Sequence, residues 1–74
     1  MRRMHYMVFD TSQRKYLELA VQPLGTDGEL VTKWTRHPEK ALKFPGIKSG
    51  QRMVRKLGGY SEIVVKNERG EVVG

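Results

Sequence analysis

Apolar and polar residues alternate in two stretches of the first half of the chain, a pattern typical of half-buried strands because successive side chains of a strand point to opposite faces. This alternation predicts strands over residues 15–24 (KYLELAVQPL) and 29–35 (ELVTKWT), and the β-branched and aromatic residues of 5–9 (HYMVF) predict an earlier strand. The Asp-Gly pair at residues 27–28 is a strong hairpin signal. We therefore expect a three-stranded antiparallel meander, with Pro23 ending the second strand or placing it at an edge, since proline cannot donate to a ladder.

The same alternation predicts which side chains face the core. In the second strand, Leu17, Leu19 and Val21 share one face. In the third strand the predicted inward face carries Leu30, Thr32 and Trp34. We expect Trp34 to be a core anchor, because large aromatic side chains dominate small cores.

The periodicity changes to that of a helix over residues 46–57. Apolar or small residues recur there on one stripe, namely Ile47, Gly50, Met53, Val54 and Leu57. A glycine inside a helix costs about 1 kcal/mol relative to alanine, so Gly50 indicates close packing onto the sheet. Gly58 and Gly59 supply the C-cap. A shorter helical turn is expected to begin at Pro38, and Pro45 should break it at Phe44.

Strand-like sequence returns over residues 60–67 (YSEIVVKN), and residues 71–73 predict a short last strand. The predicted class is therefore α+β, a small antiparallel sheet with one helix packed on one face. At 74 residues the chain is expected to be a single domain spanning residues 1–74, with residues 1–4 frayed.

Several short segments resemble a group of small, uncharacterised phage and prophage proteins. The matching residues are Lys15-Tyr16-Leu17, Trp34-Thr35, Lys40-Ala41-Leu42-Lys43-Phe44 and Leu57-Gly58. These are core and turn residues, so the resemblance speaks to fold rather than chemistry. It implies an accessory protein of a mobile element that binds host machinery or nucleic acid.

The amino-acid composition indicates the cellular compartment and excludes several kinds of chemical site. The chain has no cysteine, which removes disulfides, thiolate nucleophiles and cysteine-based metal sites and favours a reducing cytoplasm. Its longest apolar runs are too short for a membrane span or a signal-peptide core, so we expect no membrane association.

Catalytic signatures are absent from the sequence. His5 and His37 have no neighbouring ligands at zinc-site spacing, and no nucleophile elbow or P-loop occurs. A triad of His37 with Asp10 or Glu39 could assemble only in space. We expect a protein that is not an enzyme and has no catalytic residue, cofactor, metal or small-molecule substrate.

The charge distribution carries the functional prediction. The net charge is +6, from 14 basic and 8 acidic residues, and residues 40–59 contain no acid. The candidate site consists of cations at helical spacing together with two that precede the helix, namely Lys48, Arg52, Arg55 and Lys56 with Lys40 and Lys43. These residues predict a basic helix face that binds nucleic acid or a nucleoprotein complex.

Two other interpretations stay open at this point. The basic face could be a solvated surface that only confers solubility. Alternatively, the domain binds a protein partner or a second copy of itself. That surface would be a sheet edge near Pro23 or an outer sheet face around Tyr16, Ala20 and Val31.

Overall fold

The computed structural model describes residues 4–22 and 30–74. The predicted Asp-Gly turn and the predicted edge at Pro23 fall on residues 23–29, outside the described ranges. Of residues 1–4, which were predicted to be frayed, only residue 4 is described. The elements in chain order are β1 (Tyr6–Asp10), β2 (Lys15–Val21), β3 (Val31–Thr35), a 3-10 turn (Pro38–Lys40), α1 (Ile47–Lys56) and β4 (Ile63–Asn67). The strands form one antiparallel sheet in the order β3-β2-β1-β4, with α1 packed on one face. The α+β prediction is confirmed.

The most deeply buried part of the core lies between α1 and the centre of the sheet, while Met7 and Phe9 are buried on the opposite face. Val8, Leu17 and Val65 are fully buried, and Val8 is paired directly with Val65 across the β1–β4 ladder. Gly50 is the buried residue of α1. A Cβ atom at Gly50 would lie 3.0 Å and 3.1 Å from the two methyl carbons of Val65. The helix backbone therefore rests directly on β4, which confirms the packing role predicted for this glycine.

Both ends of α1 are closed by local hydrogen bonds. At the start, the Ser49 hydroxyl donates to the Gly46 carbonyl at 2.8 Å and accepts from the Gly46 amide at 3.3 Å. At the end, Gly58 has a φ of +114° and the Gly59 amide donates to the Val54 carbonyl at 2.9 Å. This 6→1 bond is that of a Schellman motif, in which glycine takes the left-handed conformation at little cost. The predicted glycine C-cap is confirmed.

The segment between the 3-10 turn and α1 fills a gap in the sheet. The paired residues of β1 and β2 are only Phe9 with Tyr16 and Asp10 with Lys15. Beyond them, Phe44 exchanges two backbone hydrogen bonds with Tyr6, at 2.8 Å and 2.9 Å, while the Leu42 amide donates to the Leu17 carbonyl at 2.9 Å. The helical turn begins at Pro38 as predicted, but it ends at Lys40 and not at Phe44. Phe44 instead forms a bridge to Tyr6.

The predicted face of β2 is wrong beyond Leu17. The β2–β3 register shifts between Leu17 and Leu19, which is a β-bulge. An extra residue in one strand moves every following side chain to the opposite face. Leu17 is fully buried, whereas Leu19 and Val21 are each 44% exposed on the face away from α1. Ala20 lies on the α1 side instead, where it lines a cavity with Met53.

The end of the chain covers the outer edge of β4. Val72 bridges to Lys66, and the Val73 amide donates to the Val65 carbonyl at 2.8 Å. The Val65 amide donates to the Gly74 carbonyl at 2.9 Å. The predicted last strand is thus a single bridge, and β3 is the other edge of the sheet. No helix in residues 4–22 or 30–74 is long and apolar enough to span a membrane.

Asp10 organises the turn between β1 and β2. Its Oδ1 atom accepts from the Ser12 hydroxyl at 2.8 Å and from the amides of Ser12 and Gln13 at 2.9 Å and 3.3 Å. Burial desolvates the carboxylate and would by itself raise its pKa, but the three hydrogen bonds favour the charged form and together hold the pKa of Asp10 below its ordinary value of 3.8.

We predict that Gly50→Ala lowers the free energy of unfolding by about 1 kcal/mol, because the cost of overpacking against the stiff, buried Val65 exceeds the helix-propensity gain of about 1 kcal/mol. Urea denaturation measures the change. The matched control is the same substitution in a Val65→Ala background, where space for the new methyl group exists and Gly50→Ala should become stabilising. A stabilising Gly50→Ala in the wild-type chain would contradict the direct backbone contact.

A second prediction concerns acid stability. Because the pKa of Asp10 is lowered in the folded state, its charge contributes stability that is present above the ordinary value of 3.8 and lost as the pH falls through the folded-state pKa. Asp10→Asn keeps an oxygen acceptor for Ser12 but removes this titration. The variant should be less stable at pH 7, and its loss of stability between pH ~5 and ~2 should be shallower. Thermal melts measure the melting temperature of both proteins across that pH range. Parallel curves of melting temperature against pH would refute a stabilising role for the Asp10 charge.

Candidate nucleic-acid interface

The four cations of α1 form a ridge on its outer side. Successive residues of an α-helix turn by about 100°, so the four lie within about 100° of one another around the axis. All of them are exposed, while Gly50 on the opposite side is buried against the sheet. The members of this cationic ridge are Lys48, Arg52, Arg55 and Lys56. The sequence pattern found these residues because helical spacing alone places them on one side.

Among the residues that the structure describes, the cationic ridge has no acidic partner. Within the described part of the chain, no carboxylate oxygen lies within 4.0 Å of any of its four charged groups. The acidic side chains with close basic partners lie on other elements: Glu18 forms an ion pair with Lys33, Glu39 contacts His37 and Glu68 contacts His5. No described acid therefore neutralises the ridge at contact distance, and salt screens its positive potential over longer distances.

The two remaining predicted cations lie elsewhere. The Lys43 ammonium group donates to the Pro38 carbonyl at 2.6 Å and lies 3.6 Å from the Met7 sulfur. Met7 alternates with the helix-facing Val8, so its side chain belongs to the other face of the sheet. The structure thus places Lys43 apart from the cationic ridge. Lys40 is exposed on the 3-10 turn and does not belong to α1.

An open groove runs beside the cationic ridge. Because α1 packs over β1 and β4, the same face of β2 and β3 is left partly uncovered. A cavity of about 650 Å³ lies there. Its lining residues are Asp10, Leu30, Thr32, Trp34, Lys56, Leu57, Tyr60, Glu62 and Ile63. A smaller cavity of about 260 Å³ shares Leu30 and Lys56 with it, and we call the pair the Trp34 groove.

Trp34 is less enclosed than a core anchor would be. Its side chain faces α1 as predicted, but the residue is only half-buried and lines the open groove. The indole Nε1 donates to the Thr32 hydroxyl at 3.2 Å, which fixes the ring in place. Sequence reasoning missed the groove because its existence depends on which strands the helix covers, and no local pattern encodes that.

The outer sheet face presents two further features. Tyr16 faces outward as expected, and its ring centroid lies 4.7 Å from that of Phe9. The Lys66 ammonium group lies 3.8 Å from the Phe9 centroid and covers one face of that ring. Nearer the β3 edge, the exposed side chains of Leu19, Val21 and Val31 form an apolar cluster, since Val21 and Val31 are directly paired. Ala20, which was expected on this surface, lies on the other face.

The candidate acid–base residues are not gathered in a cleft. The His37 Nδ1 atom lies 3.6 Å from Glu39 Oε1, and the two side chains are 63% and 71% exposed. Asp10 accepts hydrogen bonds from its own turn. Within residues 4–22 and 30–74, no group of three or more histidine, aspartate or glutamate side chains could hold a metal ion.

No protein-family model, curated protein or solved structure matches the chain. The resemblance to small phage proteins therefore stays a prediction, and the functional argument depends on the geometry of the cationic ridge and its surroundings.

Proposed function

We propose that the chain is a non-catalytic binding module that engages nucleic acid, free or within a nucleoprotein complex, through the cationic ridge of α1. The observation that carries this proposal is the combination of four exposed cations on one side of a helix with no acid within 4.0 Å in the described ranges. A phosphate backbone is the partner that such a row of charges suits best, because each neutralised phosphate releases condensed counterions.

The alternative of a merely solvated surface fits the charge pattern less well. Surfaces that serve only solubility usually intersperse both signs of charge. Here the eight acids lie outside residues 40–59, although the chain has enough of them to balance the ridge. The ridge also stands on a rigid element, because Gly50 fixes α1 against Val65 and both helix ends are capped. The helix backbone therefore has little conformational freedom to lose on binding, and the entropy cost that remains is about 0.5–1.5 kcal/mol for each Lys or Arg side chain that becomes ordered.

The resemblance to phage and prophage proteins is consistent with this role. An accessory protein of a mobile element that acts in the host cytoplasm meets nucleic acid and nucleoprotein complexes there. This setting is part of the proposal and rests on the resemblance and on the lack of cysteine.

We predict that a fluorescein-labelled DNA binds with micromolar affinity at low salt and that the logarithm of affinity falls linearly with the logarithm of salt concentration, with a slope of about −3 to −4 for four phosphates contacted on duplex DNA. Arg52→Glu with Arg55→Glu should abolish measurable binding while the thermal melting curve stays close to that of the wild type. Fluorescence anisotropy measures the affinity.

The matched control is Arg36→Glu with Arg69→Glu, two exposed positions outside α1. Each exchange changes the charge by two, so both double variants have a net charge of +2 instead of +6. The DNA affinity of the control should lie within about threefold of the wild-type value, a small loss that reflects only the long-range effect of the lower net charge. Equal losses in the two double variants would show that net charge, and not the ridge, is responsible.

A second candidate function is self-association through the outer face of the β2–β3 edge. The observation that favours it is the apolar cluster, in which Leu19 and Val21 are 44% exposed and Val31 is 53% exposed. Glu18 and Lys33 form an ion pair at 3.3 Å beside the cluster, so a second copy would meet both signs of charge there and not a single repelling sign. The edge of β3 can also pair with a second strand.

Light scattering distinguishes this candidate from the first. Self-association predicts a mass that rises towards twice 8.5 kDa with protein concentration and returns to the monomer value in Val31→Lys. Arg52→Glu with Arg55→Glu should leave that mass unchanged, because α1 lies on the other side of the sheet. A monomer at all concentrations up to about 1 mM, that is, a dimer weaker than about 4 kcal/mol, would eliminate this candidate.

A further inference from the structure

We propose that the Trp34 groove accepts an unpaired base, so that the preferred ligand of the cationic ridge is single-stranded nucleic acid. This inference rests on the proposed function and specifies its substrate class. It follows from three features of the groove, which are its position beside the ridge, its aromatic surfaces and the sign of its polar groups.

The position of the groove couples it to the ridge. Lys56 belongs to the cationic ridge and also lines both cavities of the groove. Arg52 lies one turn before Lys56 on the same side of α1. A strand whose phosphates follow these cations therefore carries its bases past the mouth of the groove. The cavity of about 650 Å³ lies within the range of about 300–1,000 Å³ that holds small organic groups.

The aromatic surfaces suit a planar ligand. Tyr60 is 59% exposed, and its ring lies against Gly58 at the end of α1. Trp34 lines the same cavity and is oriented by its hydrogen bond to Thr32. Base stacking on aromatic side chains is a common mode of single-strand binding and tolerates any sequence, because every base has a π face. A paired base in a duplex is not available for such a contact.

The polar groups of the groove distinguish a base from a phosphate. Asp10 and Glu62 line the cavity together with the aromatic residues. The Oδ1 atom of Asp10 already accepts three hydrogen bonds from its turn, so Glu62 is the acid left to accept hydrogen bonds from the amino groups of base edges. Lys56 at the ridge side and Glu62 in the groove thus match a strand that presents phosphates on one side and base edges on the other.

The experiment compares a 12-nucleotide single strand of mixed sequence with the corresponding 12-base-pair duplex at one low salt concentration. Trp34 is the only tryptophan, so its fluorescence reports on the groove alone. We expect the single strand to bind at least tenfold more tightly and to quench Trp34 emission on saturation, while the duplex leaves the emission unchanged. An RNA strand of the same sequence shows whether the sugar matters.

Two variants of one residue test the stacking contact. Tyr60→Ala should weaken single-strand binding about tenfold without changing the salt slope or the duplex affinity, and Tyr60→Phe should restore wild-type affinity. A change of the salt slope in Tyr60→Ala would indicate a disturbed ridge and would overturn the stacking role. The quenching of Trp34 in the wild-type protein tests the groove independently of whether Tyr60→Ala folds.

The failures of the two proposals are distinguishable. Equal affinity for single strand and duplex, with Trp34 emission unchanged in both complexes, overturns the base-binding groove but leaves the cationic ridge in place. Absence of binding to either nucleic acid at low salt overturns both. Trp34 quenching by the single strand that persists in Arg52→Glu with Arg55→Glu would separate the groove from the ridge and contradict their coupling.

Discussion

The contact between Gly50 and Val65 sets the geometry on which the remaining features depend. The backbone of α1 approaches β4 so closely that a Cβ atom at Gly50 would lie 3.0 Å from a methyl carbon of Val65. Gly50 must therefore face the sheet, which sets the rotation of the helix about its axis. This rotation determines which side chains of α1 reach solvent.

That rotation has two consequences on the same side of the sheet. It turns the four cations away from the sheet, opposite Gly50, where no acid approaches them within the described ranges. It also centres the helix on β1 and β4, so that β3 keeps an uncovered surface with Trp34 on it. The cationic ridge and the Trp34 groove thus both follow from the way α1 packs on the sheet, and Lys56 belongs to both.

Local sequence patterns predicted the elements well where one residue type dictates one conformation. Gly58 marked the end of α1 because a left-handed residue is needed there, and Gly50 marked the helix–sheet contact because a small residue at a helical core position has a packing reason. The bulge after Leu17 was not predictable in this way. It depends on the register between β2 and β3, and neither Leu19 nor Val21 differs from a core residue in its sequence environment.

In the candidate site, too, the features set by one element were predictable from sequence and those set by the packing of several elements were not. Helical spacing was sufficient to identify the ridge, since it is a property of one element. Two features depend on how separate elements pack together: the position of Lys43 on the other sheet face and the groove beside Trp34. The position of Phe44 beside β1 depends on where β1 and β2 separate. Such relations are long-range in sequence and leave no periodic signal.

The measurement that tests the account most directly is a ¹H–¹⁵N chemical-shift map of the protein titrated with a short single strand. We predict that the perturbed signals are those of the α1 amides, the Tyr60 amide and the Trp34 indole, while the amides of Leu19, Val21 and Val31 on the outer sheet face stay unchanged. Perturbations confined to that outer face, with α1 unaffected, would contradict it.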